Sequence, residues 1–227
     1  MTERRPQVAK SNVDEICRRF TATYTGAISD VLDEMGFRNQ TLPSEIQALQ
    51  FGQRVTGVAL TVEGQPHEGG DRDEYYVPIL QMIGDLEPGD VIVSQPHDHS
   101  CAHIGELCVE TAKFRGARGV VIDGGARDVD YMVRLGLPVF CRYRTPLDVL
   151  GRWKVVSYGR PIQIGTVTIR RGDFVVGDND GVVVIPQEII LDVLERAEEV
   201  VSTENLVRKA ILEGVHPVEA YRKYGRF

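Results

Sequence analysis

Residues 105–128 read GELCVETAKFRGARGVVIDGGARD, and the local signals in this run change character three times. Leu107, Cys108, Thr111, Ala112 and Phe114 give one side of a helix an apolar or small surface, while Glu106, Glu110 and Lys113 mark a polar side. Gly116 stands where a left-handed C-cap is needed, because glycine takes positive φ without a steric penalty. The run 119–123, GVVID, is too short and too β-branched for another helix, so the pattern predicts a strand. Gly124 and Gly125 are then expected to turn the backbone sharply, leaving Arg127 and Asp128 at the carboxyl end of that strand. In α/β folds this end is where ligands sit, close to helix N-termini. A cation, a carboxylate and free backbone N–H groups can converge there, which suits an anionic, metal-bound small molecule.

The rest of the chain supplies elements to hold that unit. Ser11 is a candidate N-cap for a helix over residues 12–20, and Thr25 for one over 26–35 with Gly36 as its stop. Residues 37–53 read as a connection containing Pro43. Residues 54–63 are β-branched and read as a strand, and 64–76 as an extended polar loop. A helix over 77–84, the Glu87-Pro88-Gly89-Asp90 turn and a strand over 90–94 follow. Residues 95–101 form a loop, after which the focal unit begins. A short helix ending at Gly136 and a strand over 138–142 lead into a β-meander from Val155, with turns at Gly172-Asp173 and Asp180-Gly181. Residues 186–214 read as a long helix with a break near Ser202-Thr203. Ile189, Ile190, Val193, Leu194, Ala197 and Val201 recur along it at helical spacing. This order predicts a mixed β-sheet body with helices packed on it, and helical extensions at both ends.

Composition narrows the function classes. The 227 residues carry a net charge of −7 with both signs interspersed, which argues against a nucleic-acid grip built on a basic face. No apolar run approaches the roughly 20 residues of a membrane span, and the basic N-terminus lacks the apolar stretch of a signal peptide. Cys17, Cys101, Cys108 and Cys141 are scattered, with no CxxC pair, as expected for small buried hydrophobes in a reducing cytoplasm.

The motifs GEL at 105–107, RGARGVVIDGGARD at 115–128, LPVF at 137–140 and GDFVVGDNDGVVVIP at 172–186 resemble the RraA-like family over residues 29–214. That family includes divalent-metal pyruvate aldolases acting on 4-hydroxy-4-methyl-2-oxoglutarate and 4-carboxy-4-hydroxy-2-oxoadipate, and the regulator of RNase E activity A. Its aldolase hallmark is an acid, twenty intervening residues, then Arg-Asp. Glu106 and Arg127-Asp128 stand at that spacing, with glutamate where many members carry aspartate.

The resemblance implies a layered αββα sandwich of the swivelling β/β/α type, one domain over 1–227. Its parts would be 1–36 (helical), 54–185 (sheet body and site) and 186–227 (C-terminal helix and tail), assembled as a homotrimer or stacked hexamer. It places the substrate loop on Gly105, Glu106, Leu107 and Cys108, the substrate arginine on Arg127, and the direct ligand of Mg²⁺ or Mn²⁺ on Asp128. Glu106 would order a water. A carboxylate from a neighbouring subunit's C-terminal helix would complete the site, Glu204 first and Glu199 second. The implied reaction is cleavage of a 4-hydroxy-2-oxo acid to pyruvate and a second oxo acid, with oxaloacetate decarboxylation as a side activity. Two alternatives stay open: a non-catalytic binder of the RNase-regulator kind, a branch that typically lacks the aspartate after the arginine, and an enzyme on the same scaffold using another oxo or hydroxy acid.

Other clusters are weighed against bland readings. His99 and His103, four apart, would share one face of a helix as zinc ligands do, but no third ligand is evident. With His97 they are better read as a pocket rim, with Asp98 capping the following helix. Lys154, beside Trp153, is the candidate for a Schiff-base mechanism. The run GDNDG at 177–181 lacks the distant glutamate of a calcium loop and reads as a hairpin turn.

Overall fold

The computed structural model describes residues 10–227. The backbone is a mixed sheet wrapped by helices. At its centre four strands run parallel: β2 (Val55–Pro66), β3 (Asp90–Gln95), β5 (Gly119–Ala126) and β6 (Val139–Arg144). Crossovers through α3 (Arg72–Gly84), α4 (Glu106–Phe114) and α5 (Val129–Leu135) join them, as parallel neighbours require. Two-residue β1 (Gln47–Ala48) pairs antiparallel with β6. On the other side β10 (Phe174–Asp178) pairs antiparallel with β2 and with β11 (Gly181–Ile185). Short β4 (Ala102–Ile104) adds to β5, and β7 (Trp153–Tyr158) to β2. A separate hairpin of β8 (Ile162–Ile164) and β9 (Val167–Ile169) lies apart from this sheet in pairing.

Three buried clusters define the layers. Ile79, Met82, Val109 and Met132, from the three crossover helices, pack on Ile92, Val120 and Ile122 of one sheet face. The opposite face of the same strands, with Val91, Val93 and Val121, meets the hairpin residues Ile164 and Ile169 and the antiparallel strands at Val175 and Val184. Outside β10 and β11 lie α1 (Lys10–Thr21), α2 (Thr25–Glu34) and α6 (Ile190–Leu212), which bury Phe20, Val31 and Leu194 against Phe174 and Val183. The order helix, sheet, sheet, helix is the expected αββα sandwich, in which the mixed sheet curls toward closure. Each fully buried Val, Ile or Phe contributes roughly 1.5–3 kcal/mol by leaving water, so these clusters dominate what holds the layers together.

Several sequence expectations are corrected. Ser11 lies in the first turn of α1, and Thr25 lies inside α2, whose N-cap is Tyr24. Thr25 donates instead to the Asp178 carboxylate, through N–H at 2.9 Å and hydroxyl at 2.6 Å. The polar loop shrinks to residues 67–71, because Asp71 caps α3 by accepting from the N–H groups of Asp73 and Glu74. The expected meander is not one: β7 pairs with β2, β8 with β9, and Gly172-Asp173 links strands of different sheets. The other expected turn does close a hairpin, but through Asn179-Asp180, with Gly181 already paired opposite Asp178 in β11. Helix α6 runs unbroken through Ser202-Thr203, where the Thr203 hydroxyl donates to Glu199 O at 2.9 Å. A short α7 (Pro217–Tyr224) follows.

Gly124 and Gly125 continue β5 rather than ending it. Their role is close approach, not turning. A Cβ on Gly124 would lie 2.5 Å from His103 Nδ1, and one on Gly125 2.7 Å from Cys101 O and against the Tyr143 ring. The register of β5 against β6 also shifts between Ile122 and Gly125, a bulge-like irregularity of the kind glycine marks.

Candidate active site

The turn that β5 does not make at the glycines is made at Asp128. Its φ of 60° and ψ of 34° are left-handed, a conformation that aspartate tolerates better than most side chains. Asp128 thereby redirects the chain from β5 into α5. Meanwhile β4 runs parallel to the end of β5, Ala102 opposite Gly125 and Ile104 opposite Ala126, and the Arg127 N–H donates to Ile104 O at 3.0 Å. That pairing brings the first turn of α4 beside Arg127 and Asp128.

The join is close. The Glu106 N–H donates to Asp128 Oδ2 at 3.3 Å, and a Cβ on Gly105 would stand 2.8 Å from that same oxygen and 3.2 Å from Arg127 Nε. Glycine at 105 is what lets both side chains reach the helix start. Val109 is the first residue whose N–H closes the helix, onto Gly105 O at 3.1 Å. The N–H groups of Leu107 and Cys108 belong to the opening turn, where an α-helix has no internal acceptor and favours anions.

Gly105, Glu106, Leu107, Cys108, Arg127 and Asp128 all line one cleft of about 360 Å³. Sequence reading missed Tyr76, Tyr131 and Asp148 among its polar members. Asp148, in the loop after β6, takes Arg127 Nη1 at 3.3 Å, and the Tyr76 hydroxyl donates to its other oxygen at 2.8 Å. Arg127 thus stands between two carboxylates, Nε toward Asp128 Oδ2 at 3.5 Å and Nη1 toward Asp148 Oδ1. All three side chains are about a third exposed or more, a setting in which an ion pair contributes about 0–1 kcal/mol. The pairs therefore fix the guanidinium's orientation rather than hold the fold. The hydrogen bond to Asp148, aided by burial, raises the Tyr76 phenol above its ordinary pKa, so it remains a donor. The pattern Asp71 to Glu74, an N-cap acid followed three residues later by glutamate, is the signal that extends α3 back over Tyr76. A lone aspartate such as Asp148 carries none.

Burial raises the Cys108 thiol, which leaves it protonated and unsuited to nucleophilic attack. Lys154 does not line the cleft; its Nζ lies 3.7 Å from Glu74 and 3.4 Å from His67. Glu204 and Glu199 lie on α6 and also stand outside the cleft. Glu204 contacts the Tyr24 hydroxyl, and Glu199 is exposed. Any part they take in this site requires a neighbouring subunit.

The histidine cluster departs from its expected geometry. Residues 97–101 are loop and His103 is in β4, so His99 and His103 share no helical face. His97 lies 3.3 Å from Glu63. Asp98 caps no helix; it accepts from Ser100 N–H at 2.9 Å and from His103 Nε2 at 3.0 Å. Asp98, Cys101 and His103 do bring three potential metal ligands within 4.8 Å of one another. The hydrogen bonds argue against an ion there. Gly125 N–H donates to His103 Nδ1 at 3.1 Å, which consumes the one ring lone pair of a neutral imidazole and leaves Nε2 as the donor to Asp98. Burial also pushes the Cys101 thiol up to about 12. The cluster ties the loop to β5.

A hard divalent cation instead fits Asp128. Its carboxylate faces the cleft with Oδ2 held by Glu106 N–H, and one carboxylate with waters and ligand oxygens is a typical magnesium donor set.

Comparison with known proteins agrees in fold and family. The family model RraA-like (Aldolase/RraA) matches residues 25–184. A Halalkalibacterium halodurans protein named "Putative 4-hydroxy-4-methyl-2-oxoglutarate aldolase" is 34% identical over 215 residues, 94% of this chain and 96% of that one. A solved structure of a Pseudomonas syringae pv. tomato protein superposes with a TM-score of 0.81 at 31% identity, covering 91% of this chain and 96% of that one. A Streptomyces coelicolor structure, described as an unusual member of the RNase ES inhibitor RraA family, superposes at 0.77 and 28% identity, covering 91% and 98%.

Proposed function

Because this chain belongs to the RraA-like family, we propose that it is a divalent-metal-dependent carbon–carbon lyase, cleaving a 4-hydroxy-2-oxo acid to pyruvate and a second carbonyl compound. The observation that carries this reading is the meeting of Arg127, Asp128 and the opening turn of α4 in one cleft. Relatives named as aldolases support it.

Asp128 would hold Mg²⁺ or Mn²⁺, and the bound cation supplies Lewis-acid polarisation of the substrate's 2-oxo group. The N–H groups of Leu107 and Cys108 receive the substrate's C1 carboxylate. Arg127, aimed by its two carboxylate neighbours, donates to the 2-oxo oxygen and stabilises the charge that develops there. Glu106, in the first turn of α4, orders a water that takes the C4-hydroxyl proton. The C3–C4 bond then breaks, its electron pair forming the pyruvate enolate, and the C4 fragment leaves as an aldehyde or ketone. Protonation at C3 gives pyruvate, with Glu204 of an adjoining subunit as the proposed proton carrier. Loss of CO₂ from oxaloacetate would give the same enolate, so decarboxylation accompanies cleavage.

A screen for pyruvate release from 4-hydroxy-2-oxo acids and oxaloacetate tests the proposal. Metal-stimulated release from at least one is expected. Silence across the panel would instead favour a binding role of the RNase-inhibitor kind.

A further inference from the structure

The guanidinium of Arg127 stands between the proposed metal ligand and a second carboxylate, and it closes on neither. Its Nε lies 3.5 Å from Asp128 Oδ2, outside the roughly 2.7–2.9 Å of a charge-assisted hydrogen bond. Its far end reaches the other way, Nη1 standing 3.3 Å from Asp148 Oδ1. Left to Asp128 alone, a planar guanidinium would settle on that carboxylate with two parallel bonds. Such a pair neutralises the charge that a hard cation needs and takes up the oxygen lone pairs it would coordinate.

Asp148 is held so that it can oppose this. Its Oδ1 accepts from the Val149 N–H at 2.8 Å, and its Oδ2 from the Tyr76 hydroxyl at 2.8 Å. Its main-chain carbonyl accepts from Arg152 Nη1 at 3.2 Å. Each carboxylate oxygen thus has a donor besides Arg127, which fixes the side chain's orientation independently of the arginine. Tyr76 belongs to α3, Asp148 to the loop after β6, and Arg127 follows the last residue of β5. The contacts therefore run from the cleft wall to the guanidinium, and through it to Asp128.

We infer that Asp148, braced by Tyr76, is a positioning residue that holds Arg127 off Asp128 and so keeps that carboxylate free for a divalent cation. The inference rests on the metal-dependent lyase reading and deepens it, adding two residues that act on the metal ligand through Arg127.

The test is Mn²⁺ binding to the whole protein without substrate, measured by isothermal titration calorimetry in a double-mutant cycle. Asp148→Asn keeps the shape and removes the charge, and should weaken Mn²⁺ binding about threefold or more, the scale of a partly exposed ion pair. Arg127→Gln removes the competitor for Asp128, and adding Asp148→Asn to it should leave the Kd within about twofold of Arg127→Gln alone. Tyr76→Phe keeps every charge and removes only the brace. It should weaken Mn²⁺ binding in the wild type and have no further effect on Asp148→Asn. Equal weakening by Asp148→Asn in both backgrounds would mean that its charge acts directly, and no weakening in either would mean that Arg127 is held without it. Both results overturn the inference and leave the metal reading intact. Mn²⁺ binding that is absent from the wild type, or unchanged by Asp128→Ala, would overturn both.

Discussion

The backbone N–H of Glu106 donates to Oδ2 of Asp128 at 3.3 Å, joining the start of one crossover helix to the loop that begins the next. One oxygen of Asp128 is thereby oriented by the backbone, and the carboxylate is presented to the cleft without depending on its own rotamer alone. On the proposed reading, the metal ligand and the carboxylate-binding turn are parts of one rigid unit.

Asp128→Ala is expected to lower turnover by at least a hundredfold with little change in the circular dichroism spectrum, because the side chain is 43% exposed and lies outside the buried clusters. Near-wild-type cleavage by this variant would remove Asp128 from the chemistry.

Gly105→Ala tests the same junction from the other side. The added methyl meets Asp128 Oδ2 at 2.8 Å and Arg127 Nε at 3.2 Å, so both side chains must move. Activity should fall at least tenfold, since displacements of about 1 Å in a site cost on the order of 10²-fold. The melting temperature should change little. Steady-state kinetics beside a thermal melt separates the two effects.

Gly125→Ala should act on stability instead. Its methyl would meet the Cys101 carbonyl at 2.7 Å and the Tyr143 ring, and overpacking of this kind costs about 1–3 kcal/mol. A urea denaturation midpoint equal to that of the wild type would mean that β5 is not as tightly flanked as described.

His103 gives a pH dependence. Burial lowers its pKa below the ordinary value of 6.5, partly opposed by Asp98. Below about pH 6.5 the unfolded chain takes up a proton that the folded one refuses, so stability falls as pH drops toward the folded pKa, by at most about 1.4 kcal/mol per unit. Urea unfolding at pH 7.5 and 5.5 should show this loss, and His103→Gln should reduce it. A wild type more stable at pH 5.5 would indicate a protonated His103 paired with Asp98.

Much of this was legible from local chemistry. Gly116 carries the expected left-handed φ, at 87°, the short helix α5 ends at Gly136 as expected, and the apolar stripe of α6 packs as its spacing predicts. Residues 105–108 and 127–128 meet as expected. What local patterns could not supply was long-range approach. Gly124-Gly125 looks like a turn until the His103 and Tyr143 rings are seen against it. Asp148 is an unremarkable loop acid until β6 delivers it to Arg127. The paired histidines suggest a helix only because sequence spacing does not reveal that His103 belongs to a strand.

The proposed shared site makes assembly testable. Light scattering should give a trimer or a dimer of trimers, and mixed Glu204→Ala and Arg127→Ala subunits should regain activity that neither has alone. A fully active monomer would sink the idea that α6 of one subunit completes the cleft of another.

The most direct test of the central claim is pyruvate release by the wild-type protein in EDTA, followed by addition of Mg²⁺ or Mn²⁺. The account predicts that cleavage stops in chelator and returns with either ion, because Asp128 offers a hard oxygen ligand beside Arg127. Undiminished cleavage in EDTA, with substrate trapped by borohydride on Lys154, would contradict it.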